Sequence, residues 1–451
     1  MSAGLAGPAP REDPLRALLE RIAARSARVA VVGLGYVGLP LALAFARRGG
    51  LRALGVDVDA ARATAVAAGK SPLRHVGAAA VEEAVRAGRL DATTALSRAA
   101  GCDAVLVCVQ TPLRRGGEPD LSFVTAAAEA LGPVLRFGQL VVLESTVPPG
   151  TTDDVVRPIL ERASGLRAGR DFFLAFSPER EDPGSGIPTA VIPRLVAGYG
   201  PASLEAALAL YRAAFETVLP VSSLRVAELA KLHENAFRAV NVALANELKA
   251  LCERMGLDVD EVIDAAATKP FGFMPFRPGP GLGGHCIPVH PFYLAWTARA
   301  HGARTRLVEL AAELNLEMPR HVVRRTRDAL RARGRPLDGA RILILGVAYK
   351  RGVEDVRDSP ALRIRELLLE RGAIVAYHDP LVPRVRGGAG GLDLVSVPLT
   401  DEALGSADAV VVATDQPGVD WDRVVARAPL VVDARNACRE VAIGREKIVK
   451  A

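Results

Sequence analysis

The chain has 451 residues, more than the roughly 250 to 300 at which a single hydrophobic core stops growing, so we expect two or three domains. Half of the residues are hydrophobic and 24% are charged, which excludes a disordered chain and indicates large buried cores. The net charge is +6, but the basic residues are scattered among acidic ones, which argues against nucleic-acid binding and favours a small anionic substrate.

The N-terminal extension 1–27 contains an Arg-rich amphipathic stretch at 14–24, but it lacks the unbroken apolar segment of a signal peptide. No run of about 18 apolar residues occurs, so no membrane span is expected. The cysteines are far apart, odd in number and without paired metal-ligand spacing; they are Cys102, Cys108, Cys252, Cys286 and Cys438. We therefore expect a reduced, cytoplasmic protein without a metal site.

Residues 28–215 show the pattern of a first α/β domain. An apolar, β-branched strand at Arg28–Val32 leads into a glycine-rich turn at 33–38 and an apolar helix at 39–48. Further strands alternate with Ala-rich helical stretches and are predicted at 54–58, 104–109, 140–144 and 172–176. This alternation predicts a parallel sheet that is covered by helices on both faces.

The remaining chain divides into a helical middle and a second α/β domain. Residues 216–330 are predicted to be all-helical, with one long helix at 222–255 and a further helical run at 291–316 after a Gly-Pro-rich loop. Residues 331–451 return to alternation, with strands predicted at Arg341–Leu345, 374–377, 409–413 and 430–432. The predicted fold is therefore two Rossmann-like, doubly wound parallel-sheet domains joined by a central all-helical segment with a long helix.

The turn after the first strand has the spacing of a dinucleotide-binding turn. Gly33 permits the sharp reversal, Gly35 lets a pyrophosphate approach the backbone, and Gly38 allows the helix to pack closely on the strand. Asp57 stands about 20 residues further on, where it would bind the adenosine ribose and favour NAD over NADP. Arg62 is either a phosphate partner or a solvated helix residue. The competing interpretation of the turn is a strand-to-helix connection that binds nothing.

Two further patterns suggest covalent chemistry. The loop 279–288, Gly-Pro-Gly-Leu-Gly-Gly-His-Cys-Ile-Pro, is so poor in side chains that its backbone can wrap around a ligand while it presents the thiol of Cys286. Lys231 and Asn235 are four residues apart on the long helix, so an ammonium and an amide share one face and could stabilise an oxyanion. By itself that pair is more often part of a solvated, salt-bridging helix face.

These patterns occur in an order that resembles the UDP-glucose/GDP-mannose dehydrogenase family. The resemblance extends from about Val29 to Asn436. Its landmarks are the turn 33–38, Val-Gln-Thr-Pro at 109–112, Glu-Ser-Thr-Val-Pro at 144–148, Ser-Pro-Glu-Arg at 177–180, Lys231 with Asn235, the Cys286 loop, and Gly-Val-Ala-Tyr-Lys at 346–350 with Asp355, Arg357, Ser359 and Pro360.

The resemblance implies an NAD-dependent enzyme that oxidises a sugar alcohol to a uronic acid in two hydride transfers through a covalent intermediate on Cys286. The implied catalytic residues are Cys286, Lys231, Asn235, Thr146, Glu179 and His290. The implied cofactor-binding residues are Gly33, Gly35, Tyr36, Val37, Gly38, Asp57, Arg62, Thr111 and Thr146. The implied substrate-binding residues are Glu179, Arg180, Lys231, Asn235, Arg277, Gly283, Lys350 and Arg357. The UDP group is expected between the middle helices and the C-terminal domain, and the long helix is expected to form a homodimer or a higher homo-oligomer.

The Cys loop is most similar to that of UDP-N-acetylglucosamine 6-dehydrogenases, but UDP-N-acetylgalactosamine, UDP-N-acetylmannosamine and UDP-glucose remain alternative substrates. One position departs from the family: His290 stands where an Asp is usual, four residues after the catalytic cysteine. Imidazole could still act as a base near neutral pH, but it cannot neutralise Lys231 by charge. A nucleotide-sugar-binding regulatory protein with impaired catalysis is therefore the alternative class. A simple hydroxy-acid dehydrogenase would not explain the Cys286 loop.

Overall fold

A computed structural model of the chain describes residues 13–73, 76–114, 116–181, 186–284, 287–387 and 392–451. The chain divides into two compact units, Met1–Leu232 and His233–Ala451.

The first unit is built on an eight-stranded sheet. Its strands are β1 (Arg28–Val32), β2 (Arg52–Val56), β3 (Leu90–Thr93), β4 (Ala104–Val107), β5 (Leu140–Leu143), β6 (Phe173–Phe176), β7 (Arg194–Gly198) and β8 (Val218–Pro220). Their order is β3-β2-β1-β4-β5-β6-β7-β8, and every neighbouring pair is parallel except β6 and β7. Because β1 pairs with both β2 and β4, the chain changes direction across the sheet beside β1, which is where open α/β sheets bind ligands.

Helices cover both faces of this sheet. They are α1 (Pro14–Ala23), α2 (Gly38–Arg47), α3 (Ala60–Ala67), α4 (Ala78–Arg86), α5 (Ser122–Leu131), α6 (Arg157–Ser164) and α7 (Pro201–Arg212). Alternate residues of β1 enter different cores: Val29 and Val31 pack in one hydrophobic cluster and Ala30 in another. Successive strand side chains point to opposite faces, so the two clusters are the two layers of a doubly wound domain, as predicted.

Helices follow the first sheet. They are α8 (Leu224–Met255), α9 (Val259–Ala267), α10 (His290–Ala300) and α11 (Arg306–Arg331). Two of them, α8 and α11, are long. The predicted central helical segment and its long helix are confirmed. The prediction of one helix over 291–316 is wrong, because the chain turns at Gly302 between α10 and α11. Helix α11 contains Pro319, although a proline inside a helix removes one backbone hydrogen bond.

The second unit carries a smaller parallel sheet. Its strands are β9 (Arg341–Leu345), β10 (Ile374–His378), β13 (Ala409–Val412), β14 (Val431–Asp433) and β15 (Ile448–Lys450), with a separate antiparallel hairpin of β11 (Arg384–Gly387) and β12 (Leu392–Val395). The sheet order is β10-β9-β13-β14-β15. Its helices are α12 (Pro360–Leu369), α13 (Asp401–Ser406) and α14 (Trp421–Arg427). Again alternate residues of one strand, Ile342 and Leu343, enter two different cores.

Three further properties concern the described residues alone. No helix among them is long and apolar enough to cross a membrane. No group of three or more His, Cys, Asp or Glu side chains among them is arranged to hold a metal ion. The described cysteines, Cys102, Cys108, Cys252 and Cys438, are free thiols.

Candidate active site

The glycine-rich turn after β1 is held closely against the neighbouring strands. Gly33 has φ +95°, a left-handed conformation that favours glycine, and its N–H donates to the carbonyl of Val56 at 2.7 Å. A Cβ on Gly33 would lie 2.5 Å from the carbonyl oxygen of Cys108, and a Cβ on Gly38 would overlap the carbonyl oxygen of Gly33. Both positions therefore require glycine for steric reasons.

The middle of the same turn leaves room for a ligand. A Cβ placed on Gly35 would meet no atom within 4 Å, so open space borders the backbone just before α2. Val37 is the N-cap of α2, and Tyr36 packs half-buried against the core. A helix N-terminus favours an anion through its free N–H groups and its dipole. The turn therefore fits the pyrophosphate of a dinucleotide.

Asp57 lies directly after β2 and is 5% exposed. Its Oδ2 accepts the N–H of Leu34 at 2.7 Å, and its Oδ1 accepts the N–H of Asp59 at 2.9 Å. The guanidinium of Arg62 lies 3.1 Å from Oδ2 and its side chain is 33% exposed, so Arg62 is paired with Asp57 and partly solvated. A carboxylate here suits the free ribose hydroxyls of NAD and repels the 2′-phosphate of NADP.

The predicted threonines lie after the next two strands of the sheet. Thr111 follows β4 and is buried, and Thr146 follows β5 and is half-buried. The hydroxyl of Ser145 donates to the carbonyl of Val109 at 2.7 Å and so joins the two loops. The carboxyl ends of parallel strands form the ligand-binding edge of such sheets, and both threonines lie there.

A buried ion cluster adjoins the end of β5. Arg194, on β7, is 1% exposed and contacts Glu144 at 3.0 Å and Glu179 at 2.7 Å. The hydroxyl of Tyr211 donates to the second oxygen of Glu144. Burial raises the pKa of Glu144 above its ordinary value, while Arg194 opposes the shift. The sequence analysis did not identify Arg194, because no local motif marks a single arginine on a short strand.

Both carboxylate oxygens of Glu179, an expected catalytic residue, accept hydrogen bonds. Its Oε2 pairs with Arg194, and its Oε1 accepts the N–H groups of Arg180 and Glu181, each at 2.6 Å. The side chain of Arg180 donates to the carbonyl of Pro193 at 2.8 Å. In contrast, Oε1 of Glu181 is buried and has no hydrogen-bond partner among the described residues, and burial together with Glu179 raises the pKa of Glu181 to about 8. Glu181 is a second residue that the sequence analysis did not identify.

The long helix α8 carries the predicted oxyanion residues. Lys231 is 8% exposed and Asn235 is 3% exposed, so this helix face is not solvated. Asn235 Nδ2 lies 2.6 Å from Nδ1 of His290, which begins α10 and is 1% exposed. Because the amide nitrogen can only donate, Nδ1 of His290 accepts in this assignment and the ring proton is on Nε2.

His285 and the predicted nucleophile Cys286 lie outside the described residues. The loop before them is anchored by two buried asparagines. Oδ1 of Asn246 accepts the N–H of Gly279 at 2.9 Å, and Nδ2 of Asn246 donates to Asn315 at 3.0 Å. Asn315 in turn donates to the carbonyl of Ala239 at 2.9 Å. A chain of hydrogen bonds therefore fixes the start of the loop to α8 and α11.

The same loop packs against the C-terminal α/β domain. A Cβ on Gly283 would lie 2.6 Å from Cβ of Tyr349, and one on Gly284 would lie 2.9 Å from the Tyr349 ring. The N–H of Gly284 donates to the carbonyl of Arg357 at 2.9 Å. The glycines preceding residues 285–286 are therefore required by close packing as well as by flexibility.

The predicted phosphate partners have different surroundings. The guanidinium of Arg357 donates to Asp355 at 3.0 and 2.6 Å, so its charge is largely compensated. Arg277 lies 3.5 Å from Asp260 and also pairs with Asp264. Lys350 is half-buried in the loop after β9.

A cavity of about 500 Å³ lies within the second unit. Charged and aromatic residues dominate its lining: Lys249, Asp260, Arg277, Arg351, Asp415, Trp421, Asp433, Arg435, Arg439, Glu440 and Lys450. Six of these side chains are basic and four are acidic, so the lining has an excess of two positive charges. A cavity of this size and charge suits an anionic, nucleotide-sized ligand.

Three successive parts of the chain match the domains of one enzyme family. Residues 27–215 match the NAD binding domain of the UDP-glucose/GDP-mannose dehydrogenase family, residues 225–317 match its central domain, and residues 343–440 match its UDP binding domain. The NAD binding domain contains the glycine turn and Asp57, and the UDP binding domain contributes much of the cavity lining.

Individual relatives match over most of their length. UDP-N-acetyl-D-glucosamine 6-dehydrogenase of Pseudomonas aeruginosa is 39% identical over 357 residues, which are 79% of this chain and 83% of the relative. UDP-N-acetyl-D-mannosamine dehydrogenase of Pyrococcus horikoshii is 35% identical over 92% of this chain and 97% of its own. The solved structure of UDP-D-ManNAc dehydrogenase from Pyrococcus horikoshii superimposes with a TM-score of 0.83 at 33% identity, covering 94% of this chain and 98% of that one.

The confirmed fold, the close-packed dinucleotide turn and the ordered domain matches agree with one another. This chain belongs to the UDP-glucose/GDP-mannose dehydrogenase family and is an NAD-binding nucleotide-sugar dehydrogenase.

Proposed function

We propose that the protein oxidises the 6-hydroxymethyl group of a UDP-sugar, with UDP-N-acetylglucosamine as first choice, to the uronic acid through Cys286. The observation that carries this proposal is the anchored glycine loop that precedes Cys286, together with the buried Asn235–His290 pair. A loop that served only as a connection would not need to be fixed by Asn246 and packed on Tyr349. The 39% identical Pseudomonas relative supports the choice of sugar.

Bound NAD would accept a hydride from the sugar carbon in each of two oxidations. The first oxidation converts the alcohol to an aldehyde, and the hydroxyl proton passes to a base. The Cys286 thiolate then adds to the aldehyde carbon and forms a thiohemiacetal. The second oxidation gives a thioester, and attack by water breaks the C–S bond, releasing the carboxylate and the thiolate.

We assign to Lys231 and Asn235 the stabilisation of the negative charge that develops on the sugar oxygen. Preformed donors in a buried site stabilise an oxyanion more strongly than water does. One N–H of the Asn235 amide donates to His290, which leaves the second N–H for the oxyanion. We therefore assign His290 to holding the amide in place, because its Nδ1 is occupied and its Nε2 carries the proton.

A different carboxyl is needed as the proton acceptor. Both oxygens of Glu179 accept hydrogen bonds from the protein, so we assign Glu179 to positioning. Glu181 has an unpartnered oxygen and a pKa raised to about 8, which is close to the pH at which a general base is effective. We assign the proton acceptor role to Glu181.

The nucleotide has its proposed site in the cavity of the second unit. Most of its lining comes from the C-terminal domain, where the family has its UDP binding domain. The excess of two positive charges in the lining complements the two negative charges of a diphosphate diester.

The same contacts suit other sugars, because nothing in the described loop selects the configuration of the N-acetyl sugar. UDP-N-acetylmannosamine, UDP-N-acetylgalactosamine and UDP-glucose should be assayed beside UDP-N-acetylglucosamine. The highest kcat/KM identifies the substrate, and a preference for UDP-glucose would contradict the proposal of an N-acetyl sugar.

The nucleophile is tested by Cys286→Ser, with Cys252→Ala as a control for loss of another thiol. Cys286→Ser is expected to abolish uronic acid formation while NAD affinity stays within about twofold, since a serine hydroxyl is a far weaker nucleophile. Cys252→Ala is expected to retain activity. Equal turnover of both variants would contradict the covalent mechanism.

A binding protein with impaired catalysis is the second candidate, and the replacement of the usual Asp by His290 favours it. The two candidates differ in one observation, because the regulatory protein would bind NAD and a UDP-sugar but release no NADH. The variant His290→Asp separates two possibilities. A slow enzyme should gain turnover, whereas a protein that also lacks other catalytic groups should not.

We also propose a cytoplasmic homodimer or higher homo-oligomer. Phe237, Leu244 and Leu251 lie seven residues apart on α8 and are 44%, 62% and 53% exposed. This spacing places them in one apolar stripe along the helix, as in helix-to-helix interfaces. Light scattering coupled to size exclusion tests the prediction, and Leu244→Glu should shift the protein towards the monomer.

A further inference from the structure

Lys249 stands out among the basic groups of the cavity. It is located on α8 and is 4% exposed, yet its ammonium makes no hydrogen bond or ion pair with any described residue. Four other basic residues of the lining have carboxylate partners: Arg351 pairs with Asp415, Arg439 with Glu440, Arg277 with Asp260, and Lys450 with Asp258 and Asp260. The fifth, Arg435, donates to the backbone carbonyls of Ala413 and Tyr349. Lys249 is therefore the lysine of the lining with unused donors.

The surroundings of Lys249 do not supply a close counter-charge. Glu253, Asp260 and Asp433 attract its charge from a distance and Arg325 repels it. Burial has the largest effect and lowers the pKa of Lys249 to about 8. A largely buried amine that borders a cavity and has no close counter-charge indicates a place where a ligand anion can bind.

We propose that Lys249 contacts an anionic oxygen of the nucleotide of the UDP-sugar and so selects diphosphate ligands. The inference rests on the proposed function, because it assumes that the nucleotide occupies the cavity. The unused ammonium and the basic character of the lining both favour a negatively charged group at that point. An anion is preferred over a neutral carbonyl because charge-assisted hydrogen bonds are about twice as strong.

The proposal predicts that nucleotide binding takes up a proton. A bound anion favours the charged form of Lys249 and raises its pKa above about 8. At pH 8 roughly half of the unliganded lysines are neutral, so binding should take up about half a proton, and almost none at pH 6.5. Binding should therefore weaken as the pH rises above 8.

The test is calorimetric titration of the wild type with UDP-N-acetylglucosamine, without NAD, at pH 8 in two buffers of different ionisation enthalpy. This ligand is a diphosphate diester, so it has no phosphate proton that titrates near neutral pH. The variant is Lys249→Met, which keeps a long apolar side chain in the buried position. Arg254→Met, exposed on the same helix, is the matched control for loss of a positive charge.

Lys249→Met is expected to bind the nucleotide-sugar about 10-fold to 100-fold more weakly, the range for loss of one charged hydrogen bond, and to lose the proton uptake. Its KM for the UDP-sugar should rise while the KM for NAD stays unchanged, and Arg254→Met should behave as the wild type. If the wild type takes up no proton when it binds the nucleotide-sugar, the proposal is wrong, whatever the variants show.

The outcomes separate this inference from the proposed function. If the wild type oxidises a UDP-sugar and Lys249→Met has an unchanged KM, the role of Lys249 is wrong and the proposed function stands. If the wild type binds a UDP-sugar tightly but forms no NADH, the proposed function is wrong. The role of Lys249 in binding is then tested by calorimetry alone. If the wild type binds no UDP-sugar, both are overturned.

Discussion

The first turns of the two α/β domains are built in the same way. In the N-terminal domain Gly33 follows β1, and Asp57 at the end of β2 accepts the N–H of Leu34 at 2.7 Å. In the C-terminal domain Gly346 follows β9, and Asp379 at the end of β10 accepts the N–H of Val347 at 2.8 Å. Both glycines have positive φ, +95° and +79°, and close approach to a neighbouring carbonyl. An aspartate after the second strand thus supports the turn after the first in each domain.

The two aspartates differ in what else they can bind. Asp379 also accepts the N–H groups of Ala348, Leu381 and Val382 and the amide of Gln416. Its carboxylate is saturated by protein donors, so its function is structural.

Asp57 has a smaller set of partners, namely the N–H groups of Leu34 and Asp59 and the guanidinium of Arg62. The N-terminal turn also continues directly into α2 through Gly35 and Gly38. The C-terminal chain instead runs from Gly346 through a loop to α12, which begins at Pro360. A glycine and an aspartate are therefore enough to form the turn. A dinucleotide site also needs the open position at Gly35 and a helix that begins directly after the turn.

The largest effect is expected for Gly38→Ala. The added Cβ would overlap the carbonyl of Gly33 and push α2 away from the turn, so NAD affinity should fall by roughly 100-fold or more. Gly77→Ala is the control, because a Cβ there meets no atom within 4 Å. Calorimetry with NAD and thermal unfolding together separate loss of binding from loss of fold. Unchanged NAD affinity in folded Gly38→Ala would show that the dinucleotide site does not require glycine at this position.

A second pair of substitutions tests whether the two aspartates have different functions. Asp379→Asn should destabilise the protein by about 3 kcal/mol, because an amide cannot accept all five hydrogen bonds, while leaving NAD affinity unchanged. Asp57→Asn should weaken NAD binding about 10-fold with a smaller loss of stability. Chemical unfolding and NAD titration measure both quantities. An equal effect of both variants on NAD affinity would contradict separate roles.

A smaller predicted effect is a pH dependence of stability that arises at the start of α8 in the first unit. Glu228 accepts hydrogen bonds from Gly150 and Thr152, but burial raises its pKa from 4.5 to about 7. The folded state then binds more protons than the unfolded state between these values, so protonation stabilises the fold and stability falls as the pH rises. From pH 5 to pH 8 the loss attributable to Glu228 should be about 2 kcal/mol.

Glu228→Gln removes this titration. The difference in unfolding free energy between the wild type and the variant should therefore change with pH, with the wild type relatively more stable at pH 5. A difference that stays constant from pH 5 to pH 8 would show that Glu228 does not titrate in this range.

The sequence predicted the parts of the fold that have strong local signals. Strands β1 and β9 are continuous apolar runs between polar residues, and both lie at their predicted bounds. Strand β3 alternates apolar and polar residues over only four positions, and β7 contains the buried Arg194, so neither has the apolar pattern of a central strand. These short strands are determined by pairing with neighbours, which a local pattern does not contain.

The candidate site divides in the same way. The glycine turn and Asp57 were predicted because their spacing along the chain is itself the requirement of the ligand. Arg194, Asp379 and Lys249 were not predicted, because their roles depend on partners that are distant in sequence. Arg194 contacts Glu144, which is 50 positions away in the sequence, and the two residues meet because β7 and β5 lie in the same sheet.

The most direct test of the account is the number of NADH molecules formed per UDP-N-acetylglucosamine consumed by the purified protein, with the product identified by mass spectrometry. Two successive oxidations through Cys286 predict two NADH per sugar and a uronic acid, with Cys286→Ser forming no acid. One NADH per sugar with a released aldehyde, or binding without any NADH, would contradict it.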